Sequence, residues 1–354
     1  MSAEPEIVLT EDGPLGLVTL NRPRALNALT LNMIRLMTSK LGAWASDPRI
    51  CAVVVRGSGV KAFCAGGDVM AIYKAGKEKA PLAREFFAEE YRLNRTIARF
   101  PKPYIAIIDG IVMGGGVGLS IHGRFRIAGD RMLFAMPETA IGLFPDVGAG
   151  YALPRLPGRL GLYLGLTGQR IGPSDCFHAQ IATHYVPSED MEALVDALMA
   201  AEWEGEAGTK VATEIIELFA CEPGTPALSE QRRLIDRCFS AGSVEETIEL
   251  LRVQRGAWAE KTLAALSRAS PTSLKITFEQ LRRGATLSLE EALILEYRLS
   301  QAAMAGHDFY EGVRAMLIDR DKAPVWQPAS LPEVTPKRVE AAFAAPPHGD
   351  LVLD

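Results

Sequence analysis

Two glycine-rich stretches constrain this chain more than any other feature: Lys61-Ala-Phe-Cys-Ala-Gly66-Gly67-Asp68 and Gly110-Ile-Val-Met-Gly114-Gly115-Gly116-Val-Gly118. Each follows an apolar run and precedes a segment of helical spacing, so each reads as a strand–turn–helix junction. Such a junction aims backbone N–H groups, reinforced by a helix N-terminus, at one point. Two converging junctions form an oxyanion hole for an enolate or a tetrahedral thioester adduct. The same glycines also serve tight turns and close packing, so either stretch alone leaves the reading open. Neither has the Gly-x-Gly-x-x-Gly or Gly-x-x-x-x-Gly-Lys-Ser/Thr spacing, which argues against dinucleotide and P-loop sites. Gly118-Leu-Ser120-Ile-His122 has the outline of a nucleophile elbow but ends on His rather than Gly, and Ser120 reads as a packed helical serine.

The elements around these turns alternate. Ile7–Leu9 and Leu17–Leu20, separated by Asp12-Gly13-Pro14, read as a hairpin. Thr30 caps an expected helix through Met33, Leu36, Met37 and Leu41. Apolar strands follow at Ala52–Val55 and Tyr104–Ile108, with two more near Phe125–Ala128 and Leu133–Met136. This β-β-α recurrence predicts a layered α/β core. Beyond about Ser188 strand patterns stop. Ser288 with Glu291, and Asp308 with Glu311, have the spacing of capping boxes ahead of helices. The expected organisation is a core over residues 1–188 that carries the active site, with a helical region over 189–354 packed on it.

Composition narrows the class. With 48% hydrophobic and 23% charged residues over 354 positions, the chain is an ordinary globular enzyme by composition. The net charge of −5 is spread along the sequence and offers no basic face for nucleic acid. The longest apolar stretch, Tyr104 to Ile121, contains Asp109 and five glycines, so no membrane span is expected. Five dispersed cysteines without a Cys-x-x-Cys pair point to a reducing compartment and no structural zinc. The first residues show no secretory pattern, and the expectation is a cytoplasmic protein. His178, His184 and His348 lack metal-ligand spacing, so no metal is expected.

Asn21-Arg-Pro-Arg-Ala-Leu-Asn-Ala-Leu29, the Ala65-Gly-Gly-Asp68 turn and the Met-Gly-Gly-Gly turn, in this order and spacing, resemble the crotonase (enoyl-CoA hydratase/isomerase) superfamily. The resemblance implies a crotonase-like spiral core of β-β-α repeats with an appended C-terminal helical region. It also implies that the amides of Gly67 and Gly115 hold a thioester oxygen, and that Arg24, Ala25 and Ala65 line the coenzyme A. The coenzyme is then part of an acyl-CoA substrate, and no separate cofactor is expected. Self-association into a homo-oligomer is compatible with this reading.

Met136-Pro-Glu138-Thr-Ala-Ile-Gly-Leu-Phe-Pro-Asp146-Val-Gly places two carboxylates in an apolar loop. Pro145 fits the start of a helix, which would leave Asp146 in a first turn whose dipole favours its ionised form. Glu138 has apolar and hydroxyl neighbours, which raise a carboxyl pKa towards that of a useful base. Glu90 falls on the apolar stripe of the helix expected over residues 84–100, where an unpaired carboxylate is unfavourable; a salt bridge to Arg92 or Arg95 would relieve it. Typical hydratases of the superfamily carry a second glutamate at the position of Gly118, so the hydratase acid–base pair is incomplete here. Ser270-Pro-Thr-Ser-Leu-Lys275, Glu296-Tyr-Arg-Leu-Ser300 and Gly306-His-Asp-Phe-Tyr-Glu-Gly-Val-Arg314 resemble instead the hydrolase branch that acts on 3-hydroxyisobutyryl-CoA. That resemblance makes Glu138 and Asp146 the catalytic pair and adds Glu90 and Gly115 as substrate-binding residues.

Overall fold

The computed structural model describes residues 4–203 and 208–353. The hairpin forms as expected, with β1 (Ile7–Asp12) antiparallel to β2 (Leu15–Leu20). From β2 onwards the first sheet is parallel, adding β3 (Ala52–Gly57), β5 (Tyr104–Ile108), β7 (Phe125–Ala128) and β9 (His184–Tyr185) in that order. β4 (Ala62–Cys64), β6 (Ile111–Met113) and β8 (Leu133–Ala135) make a second, three-stranded sheet. Successive strands therefore alternate between sheets: β3, β5 and β7 in the large one, β4, β6 and β8 in the small one. This alternation is the layered α/β core that the β-β-α recurrence predicts, and within a mixed α/β fold it is the spiral arrangement that the family resemblance implies.

β3 and β5 read as continuous apolar runs because parallel strands are covered on both faces. One side of the core joins Val54, Ile105, Ile107 and Ile127 to Leu194, Leu198 and Ile216 from the helices Met191–Ala200 and Gly208–Phe219. The helix Leu31–Ser46 starts where Thr30 accepts from the Met33 amide at 3.2 Å. It buries Met33, Ile34, Met37, Leu41 and Trp44, while Leu36, expected on that stripe, faces solvent.

The chain forms two compact units that interleave along the sequence. One comprises Met1–Gly67, Arg92–Phe134 and Ile171–Ala227; the other comprises Asp68–Tyr91, Ala135–Arg170 and Leu228–Asp354. The helices between residues 191 and 219 thus lie in the first unit with the sheet, although the chain-order division at residue 188 groups them with the later helices.

Among the described residues β9 is the last strand, and helices follow. The Ser288–Glu291 capping box forms at the helix Leu289–Ala305. The second expected box does not form. Asp308 is the first residue of the helix Asp308–Val313, and its carboxylate accepts from the Ser270 hydroxyl at 2.6 Å and the Gln327 amide at 2.8 Å. Tertiary donors have taken the group that the local pattern assigned to a cap.

Candidate active site

In the first unit the glycine turns and the Asn21–Leu29 segment build one structure. Asn27 is buried, and its side-chain amide donates to the carbonyls of Ser58 and Ala62 at 3.0 and 2.9 Å. The Ala65 amide donates to Leu26 at 3.0 Å, and the Leu29 amide to Gly66 at 2.8 Å. Arg24 and Ala25 lie in the exposed turn Pro23–Ala25, so these bonds bring Ala65 beside that turn. Gly66 has φ +117°, which points the chain towards the second turn. A Cβ built there would lie 3.7 Å from the Gly115 amide nitrogen. Gly115 is the first residue of the short helix Gly115–Gly118, where amides lack intrahelical acceptors. Gly116 must be glycine for a different reason, since a Cβ there would sit 2.1 Å from the Cys64 carbonyl oxygen. Arg24, Ala25, Ala65, Gly67 and Gly115 are thereby gathered in one unit. Ser120 is buried, and its hydroxyl donates to Gly116 and Val117 carbonyls one turn back, as a packed helical serine does.

The second unit gathers the acids. Glu90 stands on the helix Leu82–Ala98, Glu138 opens a 3₁₀ turn over Glu138–Ile141, and Asp146 follows in a stretch without regular secondary structure. They are 2%, 5% and 5% exposed. Burial, then the charges of Asp146 and Glu138, hold the Glu90 carboxyl well above the usual carboxylate range. Burial and the Asp146 charge do the same to Glu138. Asp146 is pushed up to about 6 by burial, against the lowering effect of the Tyr91 hydroxyl, which donates to its Oδ2 at 2.9 Å. One oxygen of Glu90 and one of Glu138 are buried without a hydrogen-bond partner. A buried carboxyl in that condition is an unfavourable arrangement that a polar ligand would relieve.

Two expectations change here. Asp146 does not occupy a helical first turn: the next helix, Ala149–Ala152, begins three residues later, and the Asp146 carbonyl accepts from the Ala149 amide. Its carboxyl is accordingly raised by burial rather than held ionised by a dipole. For Glu90, the remedy expected from a salt bridge is absent at its unpartnered oxygen.

Three further residues shape this cluster: Tyr91, Gln280 and Glu296. Glu296 is fully buried, and burial pushes it up to about 8 although the amides of Gly148 and Gly150 and the side chain of Gln280 lower it. The sequence carries a signal for Glu296. It lies three residues from both Leu293 and Leu299, on the buried stripe of its helix, the same criterion that singles out Glu90. Tyr91 and Gln280 carry no such signal, because buried Tyr and Gln are unexceptional on helices.

The loop that bears Glu138 is fixed from outside. Thr139 accepts at its carbonyl from the Ser270 amide at 3.0 Å, and Gly142, at φ +72°, packs so closely on Asp308 that a Cβ would lie 2.2 Å from its backbone. The Ser270 and Gly306–Arg314 motifs are thus the clamp on the acidic loop.

A spiral α/β core, one unit with paired glycine turns and another with buried carboxyls define an acyl-CoA enzyme of the crotonase type. The enoyl-CoA hydratase/isomerase family model matches residues 15–343, and the chain belongs to that family. Curated relatives include a protein of Xenopus tropicalis described as mitochondrial 3-hydroxyisobutyryl-CoA hydrolase, 52% identical over 98% of this chain and 91% of its own length. The human protein of the same description is 48% identical over 99% of this chain and 91% of its own length. Among solved structures, one described as a carnitinyl-CoA dehydratase from Mycobacterium thermoresistibile is 41% identical with a TM-score of 0.92, covering 99% of both chains. One described as an enoyl-CoA hydratase from Rhodobacter sphaeroides 2.4.1 is 38% identical with a TM-score of 0.89, covering 99% of this chain and 100% of its own. The vertebrate relatives are described as mitochondrial, and the cytoplasmic location expected from the sequence is corrected accordingly.

Proposed function

We propose that this enzyme hydrolyses 3-hydroxyisobutyryl-CoA to the free hydroxy acid and coenzyme A, a step of valine degradation. The observation that carries the reading is the group of three buried carboxyls, Glu90, Glu138 and Asp146, two of them with an unpartnered oxygen. The full-length similarity to curated hydrolases of that description supports the substrate.

In this reading Arg24, Ala25 and Ala65 bind the coenzyme, and the Gly67 and Gly115 amides accept the charge that develops on the thioester oxygen. Glu138 takes a proton from water as the water oxygen bonds to the thioester carbon. Collapse of the adduct breaks the C–S bond and expels a thiolate. A thiol of pKa ~8.5, by analogy with cysteine, leaves without strong general-acid help. Asp146 and Glu90 hold the acyl group, with Asp146 on the 3-hydroxyl. A pKa raised by burial makes Glu138 a stronger base near neutral pH than an exposed glutamate.

A second reading, hydration of an enoyl-CoA, is favoured by the descriptions of the two solved structures above. Against it stands Gly118, a buried glycine where typical hydratases carry their second glutamate. Incubation with 3-hydroxyisobutyryl-CoA and with crotonyl-CoA decides between them. Rapid thiol release from the first supports hydrolysis; loss of the crotonyl double bond without thiol release, at the greater rate, supports hydration.

A further inference from the structure

Asp146 is followed by a backbone turn that its residues do not adopt unaided. Val147 is β-branched, buried and at φ +55°, and Gly148 follows at φ +84°. A β-branched residue in the left-handed region is strained, and such a turn persists only where its surroundings over-determine it. Prominent among the surroundings here is a buried pair on two helices. From the helix Leu289–Ala305, Glu296 accepts from the Gly148 amide through Oε2 at 2.7 Å and from the Gly150 amide through Oε1 at 2.8 Å. From the helix Pro271–Gly284, Gln280 Nε2 donates to the Pro145 carbonyl at 2.7 Å and to Glu296 Oε1 at 3.3 Å. The residue before Asp146, and the second and fourth after it, are therefore tied to the same two side chains. The helix bearing Gln280 lies so close that a Cβ on Gly284 would sit 1.8 Å from the Gly150 carbonyl oxygen.

A carboxyl group suits this task in a way its amide does not. Both oxygens of Glu296 accept, whether or not the group carries a proton, whereas the NH₂ of a glutamine would present donors to a backbone donor.

We propose that Glu296, braced by Gln280, is a positioning residue for Asp146: it holds the strained Val147 turn so that the Asp146 carboxyl meets the Tyr91 hydroxyl. This deepens the hydrolase reading and rests on the part played there by Asp146. Asp146 is surrounded by Tyr91 and Glu90 from one helix, Glu138 from the 3₁₀ turn and Glu296 from a third element. If the turn relaxes, Asp146 loses the Tyr91 hydroxyl while still buried, and its pKa moves further up.

The test compares wild type, Glu296→Gln, Gln280→Leu and the double variant Glu296→Gln with Val147→Gly. The expected result for Glu296→Gln is a fall in kcat of ~10²-fold, the loss that ~1 Å of misplacement produces, with a smaller change in KM. The acid limb of its pH–rate profile moves to higher pH. Gln280→Leu moves both readouts the same way to a lesser extent, and it serves if Glu296→Gln does not fold. Adding Val147→Gly restores most of the lost kcat, since glycine adopts positive φ without a clamp. A second readout is independent of the reaction: the carboxyl ¹³C titration of Asp146 in aspartate-labelled protein, assigned by its loss in Asp146→Asn. Its midpoint rises in the variants. Superimposable titrations and unchanged pH profiles in folded variants, even with lowered melting temperatures, reduce Glu296 to a purely structural brace and overturn the proposal. If wild type releases no thiol from 3-hydroxyisobutyryl-CoA, the hydrolase reading fails by itself, and the titration alone decides the role of Glu296.

Discussion

Glu138 combines a buried carboxyl, an unpartnered oxygen and a raised pKa, whereas Asp146 has a donor hydroxyl on one oxygen. Environments that differ in this way assign two carboxyls different work. Glu138→Gln keeps the size and removes the base, so kcat for thiol release should fall by ~10²–10⁴-fold. Near-normal turnover by the folded variant would remove Glu138 from the mechanism. Because the base must be ionised and its pKa is raised, kcat/KM in wild type should climb with pH above the range of ordinary carboxylates. A profile already flat from pH 5 would contradict a buried base. Asp146→Asn should chiefly erase the preference for 3-hydroxyisobutyryl-CoA over isobutyryl-CoA, measured as the ratio of kcat/KM values. The acids of the loop were legible in the sequence because Glu138 and Asp146 lie eight residues apart between Pro and Gly signals. Tyr91 and Gln280 were not, since their hydrogen bonds to Asp146 and Pro145 span 55 and 135 residues; the apolar stripe marks Glu296 as buried but not its bond to Gly148, 148 residues away.

The elements show where local signals hold and where tertiary contacts override them. Hairpin, parallel strands and the caps at Thr30 and Ser288 follow from turn residues, apolar runs and hydroxyl-to-amide bonds, all properties of short segments. The Asp308 box failed because Ser270 and Gln327, distant in sequence, supply better donors to the same carboxylate. Pro145 opened no helix because its carbonyl and the turn beyond Asp146 are held by Gln280 and Glu296. Two substitutions separate element stability from site geometry. Ser288→Ala removes an exposed cap and should lower stability by about 0.5–2 kcal/mol with kcat unchanged. Gly142→Ala drives a methyl into the Asp308 backbone from a φ of +72° and should lower stability by ~1–3 kcal/mol. Since Gly142 ends the turn that begins at Glu138, kcat should fall with it. Melts and thiol release on both variants check this. Equal kcat in the two would mean that the clamp on the acidic loop does not matter to catalysis.

For the whole molecule, the buried acids predict an unusual dependence of stability on pH. Acids lowered by surface pairing, such as Asp47 at about 2 and Asp130, favour folding above their unfolded values near 4 and lose that contribution as pH falls. By pH 5 their effect is complete. Glu90, Glu138, Asp146 and Glu296 act in the opposite sense. Their folded values are raised, so between the unfolded values of 3.8 to 4.5 and the raised ones the folded chain binds more protons than the unfolded chain. Stability then falls as pH rises, from about 4 to 6 for Asp146 and from about 4.5 to 8 for Glu296. Stability should peak near pH 5 and decline towards pH 8, while the raised pKa of Glu138 places its base form above the usual carboxylate range. Site and fold thus oppose each other, as expected where function needs charge held away from water. Asp146→Asn removes one member of the set. A rise from 3.8 to about 6 corresponds to roughly 3 kcal/mol, so the variant should gain on wild type by an amount of that order between pH 4 and pH 7.5. Denaturant melts of both proteins at the two pH values measure the gap. A gap that stays constant, or a wild type that grows more stable from pH 5 to pH 8, would show that Asp146 is not ionised at a stability cost in the folded protein.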